Sequence, residues 1–308
     1  MITALGGGVG AAKFLEGLAM VSGEEPLNII VNTGDDITLH GLKISPDIDT
    51  VIYRLSGVID KKKGWGLKDD TFFCLQELER LGEETWFNIG DRDLATHIYR
   101  THLSAQGVSA TEIASKISKV FGIKEHINIV PMTDTGVETW IVTDRGEMHF
   151  QEYLVKNHMK PSVIKVYIKN IDHALPPPGV INYIQESQAV IICPSNPIIS
   201  IGPILHVKGI RDALKKSDAK IIAISPLIGG ASLKGPADRM MKGLGLEVSS
   251  TGVARLYRDF IDIMVIDEQD REEAPKIEEL GIDALVVNTV MSDTEKASVL
   301  ARAVLGLL

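Results

Sequence analysis

Cysteine is nearly absent from the 308 residues. Only Cys74 and Cys193 occur, too far apart in sequence for a redox Cys-x-x-Cys pair or a zinc knuckle. Each falls in an apolar stretch, and both are expected to be reduced core thiols. Aromatic residues make up 5% of the chain, and no apolar run approaches the ~20 residues that a membrane-spanning helix requires. No charged-then-apolar leader precedes the first glycines, so a soluble cytoplasmic protein with no membrane partner is expected. A basic surplus is missing too: Lys and Arg total 32 against 41 Asp and Glu, a net charge of −9. That balance repels a polyphosphate backbone and argues against nucleic acid as a partner. None of the eight histidines has zinc-ligand spacing. With 44% hydrophobic residues the chain is not disordered, and at this length it buries a core without disulfide or structural metal.

What the chain does have is short apolar runs alternating with helical spacing. Residues 1–5, 27–31, 189–193, 220–224, 262–266 and 284–288 have the pattern of strands buried on both faces. Helices are predicted at 11–20, 47–55, 71–81, 91–102, 207–215, 237–244, 254–260, 274–280 and 294–305. Ser109 followed by Glu112 predicts a capping box on a further helix that Gly122 stops. Between these blocks the texture changes. Strands are predicted at 126–130, 139–143, 148–153 and 162–168, with Asp144-Arg145-Gly146-Glu147 as a hairpin turn and Pro176-Pro177-Pro178-Gly179 as a boundary. The expected fold is α/β: a Rossmann-like, doubly wound, mostly parallel sheet with a smaller inserted α+β region. Expected boundaries are 1–110 and 174–308 for the two parts of the core and 111–173 for the insertion.

In such sheets ligands sit beyond the carboxyl ends of the strands, and the polar motifs follow strands there. Gly6-Gly7-Gly8-Val9-Gly10 joins the first strand to the first helix. Its glycines let amide groups approach a phosphate at the positive end of that helix, although a glycine turn without ligand has the same sequence. Gly-Lys-Ser/Thr is missing, which excludes a Walker loop. Asn32-Thr33-Gly34-Asp35-Asp36 follows the second strand, and Ser45-Pro46-Asp47-Ile48-Asp49-Thr50 adds two more acids. Mg²⁺ is typically held by one or two carboxylates plus substrate phosphates, so four acids around one strand end suit it; helix capping explains Asp47 equally well. Asn88-Ile89-Gly90-Asp91-Arg92-Asp93 holds an arginine between acids, either a binding residue or a surface ion pair. The loops after the strands at 189–193 and 220–224 offer Ser195, Asn196 and Ser200, in a loop fixed by three prolines and Gly202, for a base, sugar or planar ring, and Gly229, Gly230 and Lys234 for phosphate or base.

Together these segments resemble the 2-phospho-L-lactate transferase family of coenzyme F-420 biosynthesis over essentially the whole chain. The motifs are GGGVGAAK, VNTGDD, SPDIDTVIYRLSG, GDRDLATHIYRTHL, MTDTGVETWIVTDRGEMHFQEYLV, CPSNPIISIGPIL and SPLIGGASLKGPADRM. The resemblance implies Mg²⁺-dependent transfer of a 2-phospholactyl or phosphoenolpyruvyl group from a guanosine diphosphate donor, lactyl-2-diphospho-5'-guanosine. The implied acceptor is 7,8-didemethyl-8-hydroxy-5-deazariboflavin, and GMP is released. On that expectation Asp35, Asp36, Asp47 and Asp49 form a metal pool, with Asp35, Asp36 and Asp49 catalytic. Asp49, Asp91 and Arg92 meet the deazaflavin. Gly7, Gly8, Gly10 and Thr33 approach the diphosphate, and Asn196, Ser200, Gly202, Gly229, Gly230 and Lys234 take the nucleotide. A homodimer is compatible with this picture. Two alternatives stay open: a non-catalytic nucleotide-sugar or dinucleotide-binding regulator of the same superfamily, and a nicotinamide oxidoreductase suggested by Gly6, Gly8 and Ala11.

Overall fold

Strands β1 (Ile2–Gly6) and β2 (Leu27–Val31) are buried at every position because both lie inside a seven-stranded sheet covered on its two faces. The structure is a computed structural model and describes residues 1–232 and 235–308. A hairpin of β3 (Ile37–Leu39) and β4 (Leu42–Ile44) follows, then β5 (Ile127–Pro131). Next comes a small antiparallel sheet of β6 (Glu138–Thr143), β7 (Gly146–His149) and β8 (Val163–Lys169). β9 (Ala189–Ile192), β10 (Lys220–Ile224), the short hairpin β11 (Leu227–Ile228) and β12 (Ala231–Ser232), β13 (Ile263–Asp267) and β14 (Asp283–Val287) complete the set.

The central order is β14-β13-β10-β9-β1-β2-β5, and every neighbouring pair is parallel. This is the winding of a dinucleotide-binding sheet, whose order reverses between β1 and β9. Alternate residues of each strand feed two separate cores. Leu5, Ile30, Val190, Ala223 and Met264 pack on one face, against helices that include Val180–Gln185, Ile201–His206 and Ser250–Tyr257. Ala4, Ile29, Ile191, Ile222 and Val265 pack on the other, against α1 (Gly8–Val21), α2 (Pro46–Leu55) and the last helix, Thr294–Leu305.

Three further helices flank the site: α3 (Phe73–Arg80), α4 (Asp91–Ala105) and α5 (Ala110–Val120). The capping box forms as expected, with Ser109 Oγ accepting from the Glu112 N–H. The insertion is smaller than 111–173. β5 pairs with β2, and α5 packs on both the β5 and α4 side, so the chain through Pro131 belongs to the core and the insertion proper is β6 to β8. Residues 148–153 do not form one strand. β7 stops at His149 and a helical turn spans Glu152–Lys156, because His149 Nε2 donates to the Asp36 carbonyl (3.1 Å) and Gln151 Nε2 to that of Asp35 (3.2 Å). These bonds fasten the insertion to the acidic loop. Cys193 is buried as expected, but Cys74 is exposed, since α3 buries none of its residues. Among the described residues no helix is long and apolar enough to cross a membrane.

Candidate active site

A cavity of about 580 Å³ opens where the sheet order reverses. Its floor is the loop from β1 into α1, and the loop after β9 forms one wall. The two are laced together: the Gly7 N–H donates to Ser195 Oγ (3.2 Å), and that hydroxyl donates to the Gly7 carbonyl (3.0 Å). Glycine is required here by crowding. A Cβ on Gly7 would lie 2.2 Å from Asp47 Oδ2, and one on Gly10 would lie 2.4 Å from the Pro194 carbonyl oxygen. The first turn of α1 therefore presents its amides to the cavity, and Lys13 lines it one turn further on. Lys13 Nζ also donates to the Met291 carbonyl (2.8 Å).

Asp35, Asp47 and Asp49 are all buried and all line the same cavity, with Asp47 packed directly against the Gly7–Gly8 turn. The first turn of α2 carries Asp47 and Asp49, and Pro46 starts it without losing a needed N–H. Asn32 Nδ2 donates to Asp47 Oδ2 (2.9 Å). Burial pushes the Asp47 carboxyl up to about 6, against the opposing pull of Asn32 and the Gly8 N–H. Asp35 stands well above the usual carboxylate range, first through burial and then through the neighbouring Asp47. Asp35 Oδ1 and Asp49 Oδ2 have no hydrogen-bond partner. Buried carboxylates left in this condition are costly unless a cation joins them; Asp35 and Asp47, which act on one another, fit a divalent oxygen-seeking ion, while Asp49 does not close a trio with them.

Behind Asp49 lies a network that the sequence reading missed. Arg100 Nη2 donates to Asp49 Oδ1, and its Nη1 donates to His97 Nδ1 (3.2 Å). Tyr53 Oη donates to Asp93 Oδ1 (2.8 Å). Burial pushes the Asp49 carboxyl up and Arg100, with His97, pulls it back. Burial acts the same way on Asp93, but His97 and Tyr53 hold it below the ordinary value. Among the described residues, Asp49, Asp93 and His97 are the one trio whose ligand atoms fall within 4.8 Å of each other. They do not make a metal site. A guanidinium can only donate, so His97 Nδ1 accepts from Arg100 and Nε2, 3.6 Å from Asp93 Oδ2, is the nitrogen that carries the proton. Neither ring nitrogen is left with a lone pair for a metal. The available signal was the i, i+4, i+7 spacing of Asp93, His97 and Arg100, which puts them on one face of α4.

Other expected residues fall elsewhere. Thr33 and Asp36 line a second cavity of about 410 Å³, not the first. The Asp36 carboxyl, pushed up to about 8 by burial, accepts from Ser45 Oγ (2.8 Å). Asp91 is turned away from both cavities: it accepts from Thr71 Oγ1 and the N–H groups of Phe73 and Cys74, capping α3. Arg92 is exposed, with Nη1 donating to the Lys68 carbonyl (3.1 Å). Asn196 and Ser200 do line the large cavity, although Asn196 Oδ1 already accepts from the Ile198 N–H (2.9 Å). Gly202, Gly229 and Gly230 do not. Gly202 abuts the Pro197 carbonyl, while the Gly229 N–H donates to Asp270 (3.1 Å), drawing the β11–β12 turn away. Lys234 lies outside the described residues.

A solved member of the upf0052 family from Bacillus halodurans (bh3568) superposes over 99% of this chain and 98% of its own, with a TM-score of 0.64 at 16% identity. That likeness extends to the fold alone. A 2-phospho-L-lactate transferase of Methanosarcina mazei is 44% identical, covering 97% of each chain. A phosphoenolpyruvate transferase of Kitasatospora aureofaciens is 38% identical over 99% of this chain and 97% of its own. The model of the family described as 2-phospho-L-lactate transferase CofD matches residues 2–304, and the chain belongs to that family of enzymes.

Proposed function

We propose that this chain transfers a 2-phospholactyl group, or its phosphoenolpyruvyl counterpart, from a guanosine diphosphate donor to the terminal ribityl hydroxyl of 7,8-didemethyl-8-hydroxy-5-deazariboflavin, releasing GMP. The observation that carries the proposal is one cavity lined both by the first turn of α1 with Lys13 and by buried acids, of which Asp35 Oδ1 and Asp49 Oδ2 have no hydrogen-bond partner. Family relatives bearing both transferase names support either acid, and the higher identity of the Methanosarcina proteins favours lactate.

Phosphoryl transfer asks a protein for alignment and for relief of negative charge. The amides at Gly8–Gly10 and the Lys13 ammonium supply positive potential for the diphosphate of the donor. Asp35 and Asp47 would hold Mg²⁺ together with phosphate oxygens of the donor. When bound, the ion neutralises phosphate charge and lets a diphosphate approach these carboxylates. Arg100 fixes Asp49 by its Oδ1, leaving Oδ2 to accept from the attacking hydroxyl and to aim its oxygen at phosphorus. Trp65, Phe87 and Asn88 line the cavity beyond Asp49, a wall suited to a planar ring. The new P–O bond then forms as the bond to the GMP phosphate oxygen breaks, the hydroxyl proton passing to Asp49 Oδ2 and GMP leaving as the phosphate anion.

The test is a reaction of purified chain, Mg²⁺, donor and deazaflavin, followed by GMP release and by mass of the product. Stoichiometric GMP and a phospholactyl deazaflavin are expected. Tight binding of a nucleotide sugar or dinucleotide without turnover would replace the transferase by a regulator. Hydride transfer from a nicotinamide cofactor would replace it by an oxidoreductase.

A further inference from the structure

The second cavity adjoins the first at Ile44, which lines both. It lies beyond the carboxyl ends of β2 and β5, between the β3–β4 hairpin, the second half of α4 and the first turn of α5. Thr33 is 5% exposed, yet its Oγ1 has no partner, and neither has the buried Asp36 Oδ1. Two residues of the Asn-Thr-Gly-Asp-Asp motif thus line this space and carry buried polar atoms whose hydrogen-bonding capacity is unmet.

The other polar residues of this cavity divide by whether they are already engaged. Asp134 Oδ1 accepts from the Thr111 N–H (2.8 Å) and hydroxyl (2.9 Å), and Glu138 Oε2 accepts from Trp140 Nε1 (2.9 Å). Arg100 has five N–H groups and spends two on His97 and Asp49. Lys43 Nζ donates to Ser104 Oγ (2.6 Å) and has two protons left. An occupant that completes the set brings an acidic oxygen for Arg100 and Lys43 and, beside it, a hydroxyl or amino group to hydrogen-bond Asp36 and Thr33.

We propose that this cavity is a second ligand site, specific for a small carboxylic acid that carries a hydroxyl or amino donor beside the carboxylate. Arg100 forms part of the wall between the two cavities, so the occupant would touch the same guanidinium that fixes Asp49.

Matched acids test it by titration calorimetry on the full chain at up to about 10 mM ligand, a range that reads millimolar affinity. L-malate and L-aspartate differ only in hydroxyl against ammonium, and succinate lacks the donor. Binding of malate or aspartate is expected, with succinate roughly fivefold weaker, the worth of one hydrogen bond. Malate alone would identify a hydroxy acid, aspartate alone an amino acid. Thr33→Val should weaken binding by a similar factor, and Lys43→Ala, at an exposed position that cannot threaten folding, should weaken it too. Saturation of the large cavity with GDP and Mg²⁺ should leave a binding isotherm for the acid in place. Absence of heat from both donor-bearing acids, equal binding of succinate, indifference to Lys43→Ala, or loss of the isotherm with GDP would each overturn the proposal.

Discussion

The acid pairs of Ser45-Pro46-Asp47-Ile48-Asp49 and Gly90-Asp91-Arg92-Asp93 look alike in sequence: each begins a helix and each spaces its carboxylates by two. Their fates differ. Asp47 and Asp49 are both buried and both face the large cavity, one of them with an oxygen unmet. In the second pair, Asp93 turns inward to Tyr53 while Asp91 turns outward and caps α3. Two residues on a helix are about 200° apart, so only packing on both sides brings such a pair indoors. α2 has that packing, lying between α1 and α5, whereas the start of α4 meets solvent on one side. Acid clustering alone does not distinguish a site from a cap.

That contrast can be broken or sharpened by experiment. Metal removal should have the largest effect: no turnover in excess chelator and full recovery with Mg²⁺, measured by GMP release. Activity surviving the chelator would remove the reason for burying these acids. Asp49→Asn should lower turnover by about a hundredfold or more, with the far-ultraviolet circular dichroism unchanged, because the loss is one of charge at the reacting hydroxyl. Tyr53→Phe takes one partner from Asp93 and should lower stability by roughly 1–2 kcal/mol in urea unfolding. Asp91→Ala should lower the urea midpoint only slightly, through α3, and leave turnover within a few-fold. A large drop in turnover there would put the outward acid back into the site.

The same contrast predicts a pH dependence. Asp47 and Asp36 are raised from 3.8 to about 6 and about 8, so the folded chain keeps protons that the unfolded chain gives up. The metal-free protein should be most secure near pH 4 and lose stability as the pH rises toward 8. Mg²⁺ should recover more of the melting temperature at pH 8 than at pH 5. A melting temperature that climbs across this window without metal would contradict the burial of these acids. Asp259, lowered to about 2, acts only below it.

Much of the scaffold could be read from residues alone. Strands such as Lys220–Ile224 declare themselves because a chain covered on both faces must be apolar throughout, and Ser109 with Glu112 declares a helix start by local chemistry. The insertion was harder to delimit. β5 has the same apolar texture whether it joins the central sheet or the small one, and only its pairing with β2 decides. Asp35, Asp47 and Asp49 were visible as acids at a strand end, whereas Asp93, His97 and Arg100 were not. Their significance depends on which face of α4 meets Asp49, a fact of packing. Asp36 shows the same limit: adjacent residues on a loop point apart, and Asp35 and Asp36 therefore serve different cavities.

Gly17 on α1 sits so close to the last helix that a Cβ there would lie 2.3 Å from the Ala297 carbonyl carbon. The helix whose first turn floors the large cavity is therefore seated on Thr294–Leu305 with no room for a side chain between them. Any larger residue at 17 would lever α1, and the glycine loop that opens it, off that seat.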